Sequence, residues 1–291
     1  MENVKIKASD GLILDAIYSK VDNPKALIVI IHGMVEHKER YQELLEVLNK
    51  NSYSAIIADL RGHGKSINDE YKLGMIGSVD QMIDDSHKVL EYIKNDNPNV
   101  KIYLYSHSMG TLIARNFIKK YSNEIEKLIL SGTVAYKPGC GLGVSAAKRR
   151  IKKNKNGYST LLYRMSNNLS KSEDVSWLSY NKENVRNYMD DPLCGYKFTN
   201  YSNYVLFSMT YNLHKHNKEN NVNKDLKILS ISGADDRTTN HTKGVLDSIK
   251  HLKKEGFENI RYIEYPNMKH EILAEDNKKA VFDDIIKFFN E

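Results

Sequence analysis

Short apolar runs alternate along most of the chain with segments whose apolar residues recur every three or four positions. The first pattern belongs to strands buried in a sheet and the second to helices with one face on a core. Val4 to Lys7 and Leu12 to Ser19 flank Asp10-Gly11, a strong hairpin signal, and predict two antiparallel strands. Ala26 to Ile31 predicts a strand buried on both faces, followed by a helix from Arg40 to Asn49 and a strand from Ser54 to Ala58. In Val79 to Lys94 the residues Met82, Ile83, Val89, Leu90 and Ile93 share one helical face. Lys127 to Leu130, Leu226 to Ser232 and Ile260 to Tyr265 predict further strands. The alternation implies a mostly parallel, doubly wound α/β sheet. It stops after Leu130 and resumes at Leu226, so residues 134–225 are expected to form a cap, with 1–133 and 226–291 as two parts of one core.

The chemistry is concentrated in Lys101 to Ile118, where an apolar run, a small-residue turn with Ser108 at its apex and a helical pattern follow one another. A serine attacks a carbonyl only when a tight strand-to-helix turn presents it to a base and to two backbone N–H donors. Gly110 satisfies the second small position of the G-x-S-x-G pattern, whereas Ser106 replaces the first glycine. Downstream, Asp235 and Asp236 follow the strand ending at Ser232, and His270 follows the strand ending at Tyr265. The order Ser, Asp, His with each group past a strand's carboxyl end suits a sheet-based hydrolase. Taken singly, Ser108 and Asp236 also fit helix caps, and His270 a surface loop. After Ile31 comes HGMVEHKERY, a loop placed to donate one oxyanion N–H from Met34, with Met109 donating the other. His32 reads as a residue that fixes this loop, and Asp59 and Arg61 to Gly64 read as structural. His107 adjoins Ser108 but is expected to point elsewhere.

The segments HGMVEHKERY, DLRGHGKS, SHSMG, WLSYNKENVRNYMDDPLCGYKFT, SGADDRTT and YPNMKHEIL resemble α/β-hydrolases of the lysophospholipase and monoacylglycerol lipase group, also described as serine aminopeptidase-like hydrolases. The resemblance runs from near the first residues to the last loop. It implies an α/β-hydrolase fold with a helical cap, a Ser108-Asp236-His270 triad with Asp236 rather than Asp235 as the acid, and hydrolysis of lysophospholipid or monoacylglycerol-type esters. A peptidase or amidase with the same triad is the alternative, with Glu173 and Asp174 or Asp190 and Asp191 as amine anchors. A binding protein with a spoiled elbow is another.

Composition narrows these readings. Lysine and arginine number 43 against 37 acidic residues, a net +6 over 291 residues. That excess is modest, and no aromatic-basic nucleic-acid motif accompanies it. Basic residues do gather between Lys148 and Lys155, a run that reads as solvated surface or as a transient contact with anionic lipid. Cys140 and Cys194 are isolated, no metal-ligand spacing is present, and no phosphate-binding glycine loop follows a strand, so neither metal nor cofactor is expected. No apolar segment reaches spanning length and the first residues lack a signal-peptide pattern, which predicts a cytoplasmic protein. Within the cap, Leu161, Met165, Trp177 and Phe207 are the candidate substrate contacts, beside Leu162, Leu178, Val205, Leu206 and Met209. The plainer expectation is that most of these hold the cap together.

Overall fold

Alternate residues of the third strand face opposite ways, and this divides the core. The computed structural model describes residues 1–136, 139–167, 175–215 and 222–291. Its strands are β1 (Glu2–Lys7), β2 (Ile13–Ser19), β3 (Leu27–Ile31), β4 (Ser54–Ala58), β5 (Ile102–His107), β6 (Lys127–Ser131), β7 (Lys227–Gly233) and β8 (Ile260–Tyr265). They form one sheet in the order β1-β2-β4-β3-β5-β6-β7-β8, antiparallel at β1/β2 and β2/β4 and parallel from β4 to β8. Leu27, Val29 and Ile31 belong to the core on one face, Ile28 and Ile30 to the core on the other. Such continuous apolar runs are what a sheet covered on both sides requires.

Helices α1 (Gln42–Lys50) and α9 (Lys279–Asn290) cover the face of Ile28, through Leu44, Leu45, Phe282 and Ile285. Helices α2 (Val79–Asp96) and α3 (Met109–Tyr121) cover the other, through Met82, Leu90, Leu112 and Phe117. Helix α2 starts at a capping box, in which the Gln81 N–H donates to the Ser78 hydroxyl and the Ser78 N–H to the Gln81 side chain. The helix expected from Arg40 begins differently, as a 3₁₀ turn over Lys38–Tyr41 ahead of α1. Asp59 accounts for the tighter start, because it accepts both the Lys38 N–H and the buried Lys38 ammonium, each at 2.8 Å. With further bonds from Arg61 to Asp10 and Asp85, the polar cluster after β4 holds loops together.

Between β6 and β7 lie α4 (Cys140–Lys153), α5 (Thr160–Asn167), α6 (Lys182–Asp190) and α7 (Asn200–Asn212), the helical cap. Helix α7 packs on α3, where the Asn116 amide donates to the Met209 carbonyl, and Val205 and Met209 join the main core. The basic residues Lys148, Arg149, Arg150, Lys152 and Lys153 lie exposed on α4. Helix α8 (His241–Lys254) fills the β7-to-β8 crossover. Among the described residues, no helix is long and apolar enough to cross a membrane.

Candidate active site

Ser108 lies between the last residue of β5 and the first of α3, with φ 51° and ψ −120°. This backbone conformation is costly for a residue with a Cβ and survives only where surrounding contacts hold it. The Ser108 N–H donates to Ser131 on the neighbouring strand at 3.0 Å, and the Thr111 N–H and hydroxyl both donate to the Ser108 carbonyl. Gly110 sits so close to β3 that a Cβ there would lie 2.3 Å from the Ile31 carbonyl oxygen. Ser106, where the pattern has glycine, is fully buried and its hydroxyl donates to the Ile129 carbonyl at 3.0 Å. Although Ser108 occupies the N-cap position of α3, its side chain caps nothing.

Instead the Ser108 hydroxyl is 2.7 Å from Nε2 of His270, whose Nδ1 is 2.8 Å from Oδ2 of Asp236. Asp236 accepts from the Thr238 N–H at 2.7 Å through its other oxygen, so the carboxylate is fixed from both sides. It can only accept, so the proton of a neutral imidazole resides on Nδ1 and Nε2 is left to receive one from serine. Asp235 is exposed and accepts from the Tyr180 hydroxyl, away from the imidazole. His270 is 2 % exposed, so it is no surface loop residue. Burial by itself disfavours the imidazolium, but the charge and hydrogen bond of Asp236, with Glu271 and Glu36 behind, raise its pKa above the ordinary value. Burial likewise works against the Asp236 carboxylate, and His270 with the Thr238 N–H overcomes it, leaving that pKa lowered.

Met34 and Met109 flank this hydroxyl on the lining of one cavity. The Met109 N–H is in the first turn of α3, where no carbonyl one turn back exists within the helix to take it. Gly33 allows the Met34 loop to approach, since a Cβ there would lie 3.1 Å from that of Ser108. The loop is pinned by Glu36, a buried carboxylate that accepts from the Gly33 N–H and from the Tyr41 hydroxyl. His32 cross-links it to the β4 loop: its Nδ1 bonds the Gly33 carbonyl and its Nε2 accepts from the Leu60 N–H at 2.8 Å. His107 makes no hydrogen bond to the serine hydroxyl and packs at a tilt against His270, ring centres 4.7 Å and planes 42° apart. Burial and the His270 charge push its pKa down to about 4.

One cavity opens at this centre and a second lies beside it. The cavity of about 260 Å³ beside Ser108 is mainly apolar and takes Met165, Trp177, Leu206 and Phe207 from the cap. Leu161 must be corrected: it is 51 % exposed and outside the cavity, because one step along α5 turns it to solvent while Leu162 packs with Ala147 and Phe207. The other cavity, about 400 Å³, lies on the His107 side and is the more polar of the two, with Glu36, Arg40, Asn184, Asp191 and Glu271 beside the apolar Ile272, Leu273 and Ala274. There Arg40 bonds Glu271 at 2.8 Å and Glu36 at 3.3 Å. Asp191 accepts from His37 at 2.7 Å, Asp190 is exposed, and Glu173 and Asp174 lie outside the described residues.

Sequence spacing gave no warning that Glu36, Arg40, Asn184 and Glu271 would meet Asp191, because the loops that converge here are far apart in the chain. The same holds for His37, Asp191 and Cys194, and for His214, Asp247 and His251, each of which brings three metal-ligand atoms within 4.8 Å of one another. In the first, both His37 nitrogens already bond carboxylates, those of Glu39 and Asp191.

The sheet order, the serine at the β5-to-α3 turn and the linked imidazole and carboxylate define an α/β-hydrolase-fold protein. Solved structures agree on the fold. A carboxyl esterase from Bacillus coagulans in complex with glycerol superposes with a TM-score of 0.85 at 22 % identity, over 99 % of this chain and 97 % of that one. A soluble variant of the Saccharomyces cerevisiae monoglyceride lipase, in complex with a substrate analogue, gives 0.80 at 19 % identity, over 99 % and 94 %. Residues 22–277 match the Hydrolase_4 family, described as serine aminopeptidase, S33, and the chain belongs to that family. It is 31 % identical to phospholipase YtpA of Bacillus subtilis over 129 residues, 44 % of this chain and 46 % of that protein. It is also 31 % identical to the monoglyceride lipase of Rattus norvegicus over 190 residues, 64 % and 58 % of the two chains. The matches thus span about half the length of these curated relatives.

Proposed function

We propose that the protein is a serine carboxylic ester hydrolase acting on lysophospholipid or monoacylglycerol-type acyl esters. The observation that carries this is the hydrogen-bonded line from Ser108 through His270 to Asp236, opening beside an apolar cavity with a polar one behind. His270 takes the Ser108 proton as the oxygen attacks the ester carbonyl, and Asp236 stabilises the imidazolium. The N–H groups of Met34 and Met109 receive the developing oxyanion, each worth about 3 kcal/mol in comparable sites. His270 then protonates the departing alcohol. Water, deprotonated by the same histidine, attacks the acyl-enzyme and releases the carboxylic acid.

The apolar cavity suits an acyl chain and the polar cavity a hydroxylated alcohol. Residues 134–225 form the cap that makes this selection, with Met165, Trp177 and Phe207 as its contacts. The relatives named for phospholipase and monoglyceride lipase activity support the ester reading over the peptidase one. Asp191, a residue that an amine-binding site would need free, is engaged by His37. Two free buried cysteines suit a reducing compartment, the cytoplasm. The test is hydrolysis of lysophosphatidylcholine, monoacylglycerols, short p-nitrophenyl esters and an aminoacyl amide, with Ser108→Ala as control. Ester turnover that the control lacks is expected, and preferential amide cleavage would overturn the reading.

A further inference from the structure

Glu275 is a carboxylate 1 % exposed to solvent, five residues beyond His270, with no part in the proton path. It accepts from the Lys269 N–H at 2.8 Å, immediately before His270. It also accepts from the Ser179 hydroxyl at 2.8 Å and the Tyr180 and Asn181 N–H groups at 2.9 and 3.3 Å, all in the cap. Unpaired, a buried carboxylate would be very costly, so these donors and this acceptor hold one another in place. Around it the Glu271 N–H donates to Leu178 at 2.8 Å and the Lys269 ammonium to the Ser176 carbonyl at 2.6 Å. The Tyr180 hydroxyl reaches Asp235, the neighbour of Asp236, at 3.0 Å. Cap residues 176–181 therefore touch both the loop that carries the acid and the loop that carries the base. Trp177 at their start lies over His270, ring centres 5.2 Å apart.

We propose that Glu275 is a positioning residue, which ties the His270 loop to a strap of cap residues 176–181 and so holds the imidazole in line between Ser108 and Asp236. The inference rests on His270 being the base. A single carboxylate serves both sides because it has two oxygens, and Lys269 bonds one while Ser179 and Asn181 bond the other. An amide has one acceptor oxygen and cannot serve both.

The test is steady-state kinetics of Glu275→Gln on p-nitrophenyl butyrate, with circular dichroism to establish folding. A misplacement of about 1 Å can cost a catalytic site about 10²-fold, and a fall approaching that in kcat is expected with KM little changed. The pH midpoint of kcat moves down, toward that of a free imidazole, as Asp236 loses alignment; Glu271, Glu36 and His107, the other titratable groups around the ring, keep their side chains in the variant. Because Trp177 is the single tryptophan of the chain, its emission shifts to the red as the strap loosens. Wild-type kcat and midpoint in folded Glu275→Gln would overturn the proposal. If that variant fails to fold, Ser179→Ala and Ser179→Thr decide: alanine lowers kcat and threonine restores it, and an alanine variant equal to wild type overturns the strap. His270→Ala is run alongside. Undiminished turnover there refutes the base assignment, whereas loss there with both Glu275 and Ser179 variants unaffected refutes the strap alone.

Discussion

The strand ends and the cap are held by different means. Ser108 directly follows β5, and Asp236 and His270 sit a few residues past β7 and β8; Asp236 and His270 are buried, and the Ser108 and Asp236 N–H groups are tied to the carbonyls of Ser131 and Gly233. The cap is anchored piecemeal. Its polar side docks on the Met34 loop through Asp191 with His37 and Asn184 with Arg40, while its apolar side closes on a small cluster of Ala147, Leu162 and Phe207. Reactive groups need fixed geometry and substrate choice needs a surface that can vary, so the proposed function assigns the chemistry to the sheet and the selection to the insertion.

The strongest way to break this division is to disable the sheet and find activity elsewhere. Ser108→Ala is expected to lower kcat by on the order of 10⁶-fold, and Asp236→Asn by about 10⁴-fold through the wrong imidazole tautomer. Both are measured on a short ester with thermal unfolding as control. Turnover near the parent rate in a folded Ser108→Ala protein would place the chemistry outside the elbow.

A second prediction concerns pH. His270 must be neutral to accept a proton, and Asp236 holds its pKa above the ordinary imidazole value, so kcat/KM rises with pH through a midpoint above about 6.5. Stability runs the other way. A raised folded-state pKa favours the native state fully below the unfolded value, and that contribution is lost as pH climbs through the folded one. The rise in activity therefore accompanies a small loss of stability, readable from thermal melts across the same range. A rate falling from pH 6 to 8 with stability unchanged would refute the pairing.

Smaller effects are expected from the cap. Met165 is half-buried on the cavity wall, and Met165→Ala removes apolar contact from an acyl chain without opening the main core. One lost methylene-sized contact is worth about 1–3 kcal/mol, so the preference for long over short acyl chains should fall by about tenfold or more. kcat/KM for a short ester stays near the parent value. Equal losses on both esters would mean that the cap governs the chemistry as well.

Legibility follows the same boundary. The β3 run from Leu27 to Ile31 and the Ser108 turn were readable because a strand buried on both faces and a nucleophile elbow impose local patterns. Leu161 and Leu162 were not separable, since which of two adjacent leucines faces inward depends on the partner of α5. In α7, buried Asn203 and Ser202 accompany Val205 and Met209, so burial surrounds the helix and leaves no apolar stripe to read. Glu275 resembles any surface glutamate in the string AED, and its burial arises only when loops distant in sequence converge.

Ser106 offers the finest test, because there the sequence departs from the family of patterns that made the elbow readable. If the departure weakened the site, Ser106→Gly would raise activity. The buried hydroxyl already has its acceptor in the Ile129 carbonyl and leaves Ser108 aligned with His270, so no gain in kcat is expected. Stability should fall instead. The substitution removes a hydrogen bond worth about 1 kcal/mol and adds the backbone entropy of a glycine inside a strand, about 0.5–1 kcal/mol. Chemical denaturation of the two proteins measures the difference, and a more stable or faster Ser106→Gly enzyme would show that serine strains the turn rather than bracing it.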